Sequence, residues 1–379
     1  MIYFDNAATT YPKPNQVIQA VQQGMLRYGG NPGRSGHSIS MRTAEKVYQV
    51  RNLAADFFDA EVENVIFTCN CTQALNFAIK GILLNGGHVI TTNLEHNSVL
   101  RPIASLAKHN IVSYTIVDVY NQSEETILAM IKKAIRSDTK LIICTHGSNV
   151  TGQRLPIERI AKLCKEHNIL FAVDGAQSAG VLPVQVRNMG IDLFCTAGHK
   201  SLYGPSGTGL LVLGNKILLE TIMEGGTGTN SFRMEQPEFY PERMESGTVN
   251  TAGICGLGAG IQFLKQKGLR RIYQHEISLC RMAFLGLKGM RNIQLYTPDC
   301  AEGSYLPVFI FNVKGRTSME VVDQLNDAGF ALRGGLHCAP LIHQALGTEE
   351  IGGVRLSVSV FNKREEIQKF LSTMQKISK

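Results

Sequence analysis

The sequence predicts an α/β fold, with a mostly parallel seven-stranded sheet covered on both faces and a smaller α+β domain towards the C-terminus. Three observations carry this. Seven short apolar runs recur between residues 65 and 213, each followed by a helical or loop stretch. Two of them lead into Asp174 and Lys200, at the strand ends where open α/β sheets bind ligands. From about residue 250 to 292 the pattern changes to two long helical stretches.

In chain order, residues 15 to 28 and 41 to 58 have helical spacing after the Pro12/Pro14 turn; in the second, Val47, Val50, Leu53, Ala54 and Phe57 share one face. Strands are expected at Val65 to Thr68, Val89 to Thr92, Val112 to Val117, Leu141 to Thr145, Leu170 to Asp174, Asp192 to Thr196 and Gly209 to Leu213. After the long helices come Pro307 to Val313, a helix near Met319 to Ala328, a strand from Val354 to Val360 and a closing helix from Lys363. No internal repeat or low-complexity segment interrupts them. The expected division is a large domain over residues 15–255 and a small one built from 1–14 and 256–379.

A chain of 379 residues, 44% of them hydrophobic, can bury a core of this size. The formal charge of +7 is scattered, with no Lys/Arg run of five or more, so no nucleic-acid partner is expected. Nine cysteines, an odd number without a CxxC pair, argue for a reducing compartment rather than a disulfide framework. No apolar run approaches the ~18 residues of a membrane span and no leader-like segment opens the chain, so a soluble, cytoplasmic protein is expected.

Chemistry concentrates in two stretches. Asp192 to Pro205 ends a short apolar run in small residues, then a His199-Lys200 pair, then a Gly-Pro turn. A lysine held among apolar neighbours loses its proton more readily and becomes an amine nucleophile, although most lysines are simply solvated. Ile169 to Ser178 reads as a buried strand delivering Asp174 at its C-terminal end. A carboxylate for a protonated pyridine nitrogen, with a lysine that forms an imine, is the protein's share of pyridoxal 5′-phosphate (PLP) chemistry.

The segments AVDGAQS (172–178) and AGHKSLYGP (197–205) resemble the class-V PLP enzymes of fold type I, and among them the cysteine desulfurase and selenocysteine lyase group. The resemblance runs from Tyr3-Phe4-Asp5-Asn6-Ala7-Ala8 to Val354-Arg355-Leu356-Ser357. It implies PLP bound in the large domain and a catalytic cysteine loop in the small one.

Phe67 to Asn76 passes from a strand into a helix, whose free N–H groups and Thr72 hydroxyl make an anion cradle or a simple N-cap. The resemblance assigns the cofactor phosphate to Thr72 and the Cys71 backbone, with relatives commonly carrying Gly-Thr where this chain has Asn70-Cys71. Where relatives often have a serine this chain has Ala197, so His199, with Thr196, takes a larger share of phosphate binding. Thr248 resembles a residue that reaches the phosphate from a second subunit, which implies a homodimer. His96 is placed against the cofactor ring, where an imidazole stacks and shuttles protons. Asn149 and Gln177, also at strand ends, hold the phenolic oxygen, and Asn149 is expected to reach the substrate as well.

RGGLHCAPL (333–341) resembles the desulfurase branch in which a catalytic cysteine, here Cys338, follows Arg-x-Gly-x-His. Its thiolate is the reactive form, and neighbours such as His337 and Arg333 favour it; an inert buried thiol is the alternative, and the reading kept for the other eight cysteines. His337, Cys338 and His343 lack the paired spacing of a zinc site, so no metal is expected. Arg355 is either a structural ion-pair partner or, as the resemblance implies, the clamp on a substrate α-carboxylate, with Arg333 in support.

The expected activity is therefore PLP-dependent cysteine desulfuration, L-cysteine to L-alanine, with sulfur left as a persulfide on Cys338 and passed to an acceptor protein. Selenocysteine lyase acting on L-selenocysteine, another class-V activity, and a non-catalytic sulfur carrier are the alternatives.

Overall fold

The computed structural model describes residues 1–33 and 36–379. Its central sheet has seven strands in the spatial order Val65–Thr68, Gly209–Leu213, Leu193–Ala197, Leu170–Asp174, Thr139–Thr145, Gly87–Thr92 and Val112–Val117. Gly209–Leu213 is antiparallel to both neighbours, and the remaining pairs are parallel. The apolar runs are continuous because successive side chains enter different cores. Phe171 and Val173 pack in one cluster and Ala172 in the other, and Val212 and Leu211 divide in the same way.

Helices Cys71–Leu83 and Asn97–Lys108 cover one face. Ser38–Phe58, Glu124–Ala134, Ile157–Glu166 and Thr251–Lys267 cover the other. Val47, Val50 and Ala54 are buried as the helical spacing predicts, with Leu53 and Phe57 packed at the margin. Thr251–Lys267 runs through residue 255, and its Ile254, Leu257 and Ile261 join Val50 in the same core.

A second core gathers Phe284, Phe309, Phe311, Leu356 and Phe370 around a three-stranded antiparallel sheet, Val354–Ser357, Val308–Val313 and Ile293–Leu295. The strand expected to reach Val360 stops at Ser357, because Ser359 N–H donates to Asn362 Oδ1 at 2.8 Å and turns the chain. The first residues connect the two cores. Ile2–Tyr3 pairs in parallel with Phe330–Ala331, Ser357 N–H donates to Phe4 O at 2.8 Å, and Thr10 N–H donates to His199 O at 3.1 Å. No described helix is long and apolar enough to cross a membrane.

Candidate active site

The C-terminal ends of the parallel strands converge on a cavity of about 210 Å³. Lys200 and Asp174 line it, with Cys71, Thr72, His96, Asn149, Gln177 and His199 from neighbouring strand ends and Arg333, His337 and Arg355 from the C-terminal region. Asp174 pairs in register with Cys195, five residues before Lys200, so the carboxylate and the amine leave adjacent strands. Gly175 permits this crossing, because a Cβ there would collide with the Phe194 ring.

Asp174 is 5% exposed, and its Oδ1 accepts the Ala176 N–H at 2.9 Å and the Cys71 thiol at 3.5 Å. Burial pushes the Lys200 amine below its usual range and the nearby Arg355 and Arg333 add to this, while Asp174 and Cys71 oppose it. The turn behind the amine is braced from the N-terminus: Thr10 Oγ1 donates to Lys200 O at 3.0 Å and Lys13 Nζ to His199 O at 2.6 Å. Nothing in the spacing around Lys13 points to this brace.

His96 caps the helix Asn97–Lys108, its Nδ1 accepting the Ser98 N–H at 3.1 Å. Nδ1 is thus the unprotonated nitrogen, so the Ser98 hydroxyl at 2.9 Å donates to it as well, and the Thr72 hydroxyl donates to Ser98 Oγ at 2.8 Å. Burial holds the His96 ring down to about 4, neutral at physiological pH with a proton on Nε2. The Thr72 hydroxyl is spent on Ser98, while the N–H groups of Gln73 and Ala74 are taken by Asn70 Oδ1 and O. The first-turn amides of Cys71 and Thr72 are left as the anion donors at this helix start.

His199 lines the cavity, with burial first and then Lys200 and Lys13 pushing its ring down to about 4. Thr196 does not join it there, because it is fully buried and its hydroxyl donates to Gly175 O at 3.3 Å. Thr248 lies away from Lys200, exposed in a separate cavity beside Cys69, where its hydroxyl accepts from Asn31 Nδ2 at 3.3 Å. Asn149 and Gln177 line the site but have committed amides: Asn149 Nδ2 donates to His337 O at 2.9 Å, and Gln177 Nε2 to Ala7 O at 3.0 Å.

Arg355 is 1% exposed and is the structural ion-pair partner weighed for it. Its Nη2 donates to Asp5 Oδ1 at 2.7 Å and its Nη1 to Asn149 O at 3.2 Å, while its buried Nε has no partner among the described residues. It still lines the cavity.

Cys338 is exposed and is not itself a lining residue, but its turn is tied to the site: Asn97 N–H donates to Cys338 O at 2.7 Å. His337 and Cys338 both take left-handed backbone, φ +50° and +55°, which non-glycine residues adopt only when held there. Burial keeps the His337 ring neutral, well below its usual range, and its nitrogens face Arg333 O and His343. His337 therefore stands beside the thiol as a neutral imidazole rather than as a cation.

One residue behind the cavity wall had no sequence signal. Glu95 is fully buried, its Oε1 accepting the Thr92 hydroxyl at 2.6 Å and the Thr145 N–H at 3.0 Å, its Oε2 without a partner among the described residues. Burial raises its carboxyl to about 8.

The donor set suits PLP: a buried carboxylate, an amine lowered by burial on the adjacent strand, unspent helix-start amides and a neutral imidazole around one cavity.

The family model described as aminotransferase class-V matches residues 2–370. A protein named "Probable cysteine desulfurase" from Methanothermobacter thermautotrophicus is 32% identical, the match covering 100% of this chain and 94% of that protein. A cysteine desulfurase from Yersinia pestis gives the same identity and coverage. The apo structure of a cysteine desulfurase from Thermococcus onnurineus superposes with a TM-score of 0.91 at 32% identity, covering 100% of this chain and 94% of that one.

Proposed function

The chain belongs to the class-V aminotransferase family, and we propose that it is a cysteine desulfurase that uses PLP to convert L-cysteine to L-alanine and takes the sulfur onto Cys338. The observation that carries this reading is the linkage of an exposed cysteine to a lysine–aspartate pair through the residues of one cavity: Asn149 holds the turn, and Asn97, next to His96, holds the Cys338 carbonyl.

Asp174 would hold the cofactor's ring nitrogen, Lys200 its aldehyde carbon and His96 its ring face. The first-turn amides of Cys71 and Thr72, with His199, would hold its phosphate. Asn149 and Gln177 would hold the phenolic oxygen, which asks each to share an amide now bonded to backbone. When bound, this cofactor takes up the electron pair left on the substrate as the α-proton departs.

The chain's own residues do the rest. Arg355, supported by Arg333, grips the substrate carboxylate. Lys200, its amine lowered by burial, accepts the α-proton and later returns a proton to carbon. His96, neutral and with Nε2–H available, assists that return. The Cys338 thiolate bonds to the substrate sulfur as the carbon–sulfur bond breaks, leaving a persulfide exposed for an acceptor protein. That a second copy of the chain completes the phosphate site rests on Thr248, exposed and lining a cavity other than that of its own chain's Lys200.

The test is alanine and sulfide formation from L-cysteine by the PLP-loaded protein and by Cys338→Ser. Loss of sulfide transfer with cofactor retained is expected; equal turnover on cysteine by both proteins would remove Cys338 from the reaction.

A further inference from the structure

The turn bearing Cys338 rests on a buried chain of hydrogen bonds that the reaction itself does not use. His343 and Thr348 are fully buried and His337 is 3% exposed. His337 Nε2 lies 3.2 Å from Arg333 O, His337 Nδ1 lies 3.3 Å from His343 Nε2, and His343 Nδ1 lies 2.8 Å from the Thr348 hydroxyl. The two rings are 17° from parallel with centroids 5.5 Å apart, the separation of imidazoles meeting nitrogen to nitrogen.

Chemistry gives this chain one direction. A carbonyl only accepts, so His337 carries its proton on Nε2 and accepts at Nδ1. His343 must then donate from Nε2 and accept at Nδ1, which leaves the Thr348 hydroxyl as the donor. Burial keeps both rings neutral, His337 well below its usual range and His343 at about 4, with Arg355 acting in the same sense on His337 and Glu349 opposing on His343. The far end of the chain matters as much. Arg333 O also accepts the Arg355 N–H at 2.9 Å, so the chain ends on the carbonyl that joins the two arginines of the site.

We infer that Thr348 and His343 are positioning residues of the sulfur-accepting turn: the Arg333 carbonyl sets the tautomers of His337 and His343, and the Thr348 hydroxyl, donating to His343 Nδ1, anchors the far ring and so locks the left-handed turn of Cys338 to the backbone of Arg333. The inference rests on Cys338 being the sulfur acceptor only for its effect on turnover. Without the hydroxyl, His343 has no donor at Nδ1. Moving its proton there would set two acceptor nitrogens face to face, and switching His337 as well would set its Nε2 lone pair against Arg333 O, so the tautomers hold and one buried hydrogen bond is lost at Nδ1.

Thr348→Val removes only the hydroxyl and keeps the shape, and Thr348→Ser restores it. Nitrogen NMR of the PLP-loaded protein labelled at histidine should show Nε2–H on both rings in all three proteins, with the His343 Nδ1 resonance shifted in the valine variant by the loss of its hydrogen bond and restored in the serine variant. Alkylation of Cys338 without substrate, followed by mass spectrometry, should change severalfold in the valine variant. Sulfur transfer should fall about tenfold, as loss of one buried hydrogen bond implies, and return to within about twofold in the serine variant. Should the valine variant not fold, His343→Gln, which keeps a donor towards His337, is expected to retain the parent's Cys338 alkylation rate. An unshifted His343 Nδ1 resonance with unchanged alkylation in Thr348→Val, no rescue by serine, or altered alkylation in His343→Gln would overturn the inference. A parent protein that fails to release alanine from cysteine would defeat the functional reading instead, with the His343 Nδ1 resonance and the alkylation rate still deciding this one.

Discussion

The thiol of Cys71 donates to Oδ1 of Asp174 at 3.5 Å, so the first residue of the phosphate-side helix touches the carboxylate assigned to the other end of the cofactor. Burial, and then Asp174 itself, hold this thiol well above its usual range, so it stays protonated and acts as a donor. A thiol is a weak donor, and Asp174 Oδ1 keeps the Ala176 N–H when it is removed. Cys71→Ala is therefore expected to fold and to lose cofactor affinity by less than about tenfold, under ~1.4 kcal/mol. Cys71→Asp sets a second carboxylate against Asp174, raises the pKa of the pair and should abolish cofactor retention. Absorbance retained after gel filtration with PLP separates the two; equal retention would mean that Asp174 does not depend on its charge.

Glu95 predicts a pH signature. Its folded carboxyl is raised from 4.5 to about 8 by burial, so the folded state holds a proton that the unfolded chain gives up sooner. The resulting contribution is fully present below pH 4.5 and drains away as pH rises to about 8. Glu276 has the same raised value, so the parent's slope alone does not identify the group. Glu95→Gln, which keeps the neutral shape, should flatten the fall of melting temperature between about pH 5 and 8 and leave the protein relatively more stable at the upper end. Parallel curves for parent and variant would show that Glu95 is ionised in the fold.

Asn149 joins two parts of the site through two groups, its side-chain N–H on His337 O and its carbonyl on Arg355 Nη1. Asn149→Ala removes only the first. The loss of one buried hydrogen bond is expected to cost ~1–2 kcal/mol of stability. Because the bond lies on the Cys338 turn, sulfur transfer should suffer more than PLP binding. A variant that loses cofactor and sulfur transfer in equal measure would place Asn149 with the cofactor alone.

Much of this was legible in the sequence for a physical reason. A strand buried on both faces is apolar throughout, and Val65–Thr68, Leu170–Asp174 and Gly209–Leu213 begin and end where their apolar runs do. The strand ends then bring Lys200, Asp174, His96 and Asn149 to one cavity. Hydrogen-bond commitments have no such periodic trace. Ser98, linking His96 to Thr72, looks like any helix-start serine, and Glu95 shows its value only once Thr92 and Thr145 close over it. The direction of the histidine chain depends on Arg333 O, a backbone atom that no side-chain pattern reports. Partnerships between distant positions are silent for the same reason, and Asp5 with Arg355 is the clearest case.

That ion pair yields the sharpest test of the carboxylate clamp. Arg355 is fully buried and Asp5 is 20% exposed, so the aspartate offsets the burial of a guanidinium whose Nε is already unpartnered among the described residues. Removing it by Asp5→Asn leaves an uncompensated buried charge, expected to cost ~3 kcal/mol or more. An amino acid carboxylate bound at Arg355 would replace the missing partner. L-alanine, the expected product, should therefore raise the melting temperature of Asp5→Asn more than that of the parent, where Asp5 already competes for Nη2. Equal shifts in the two proteins would mean that the carboxylate binds elsewhere, leaving Arg355 as a structural partner of Asp5 alone.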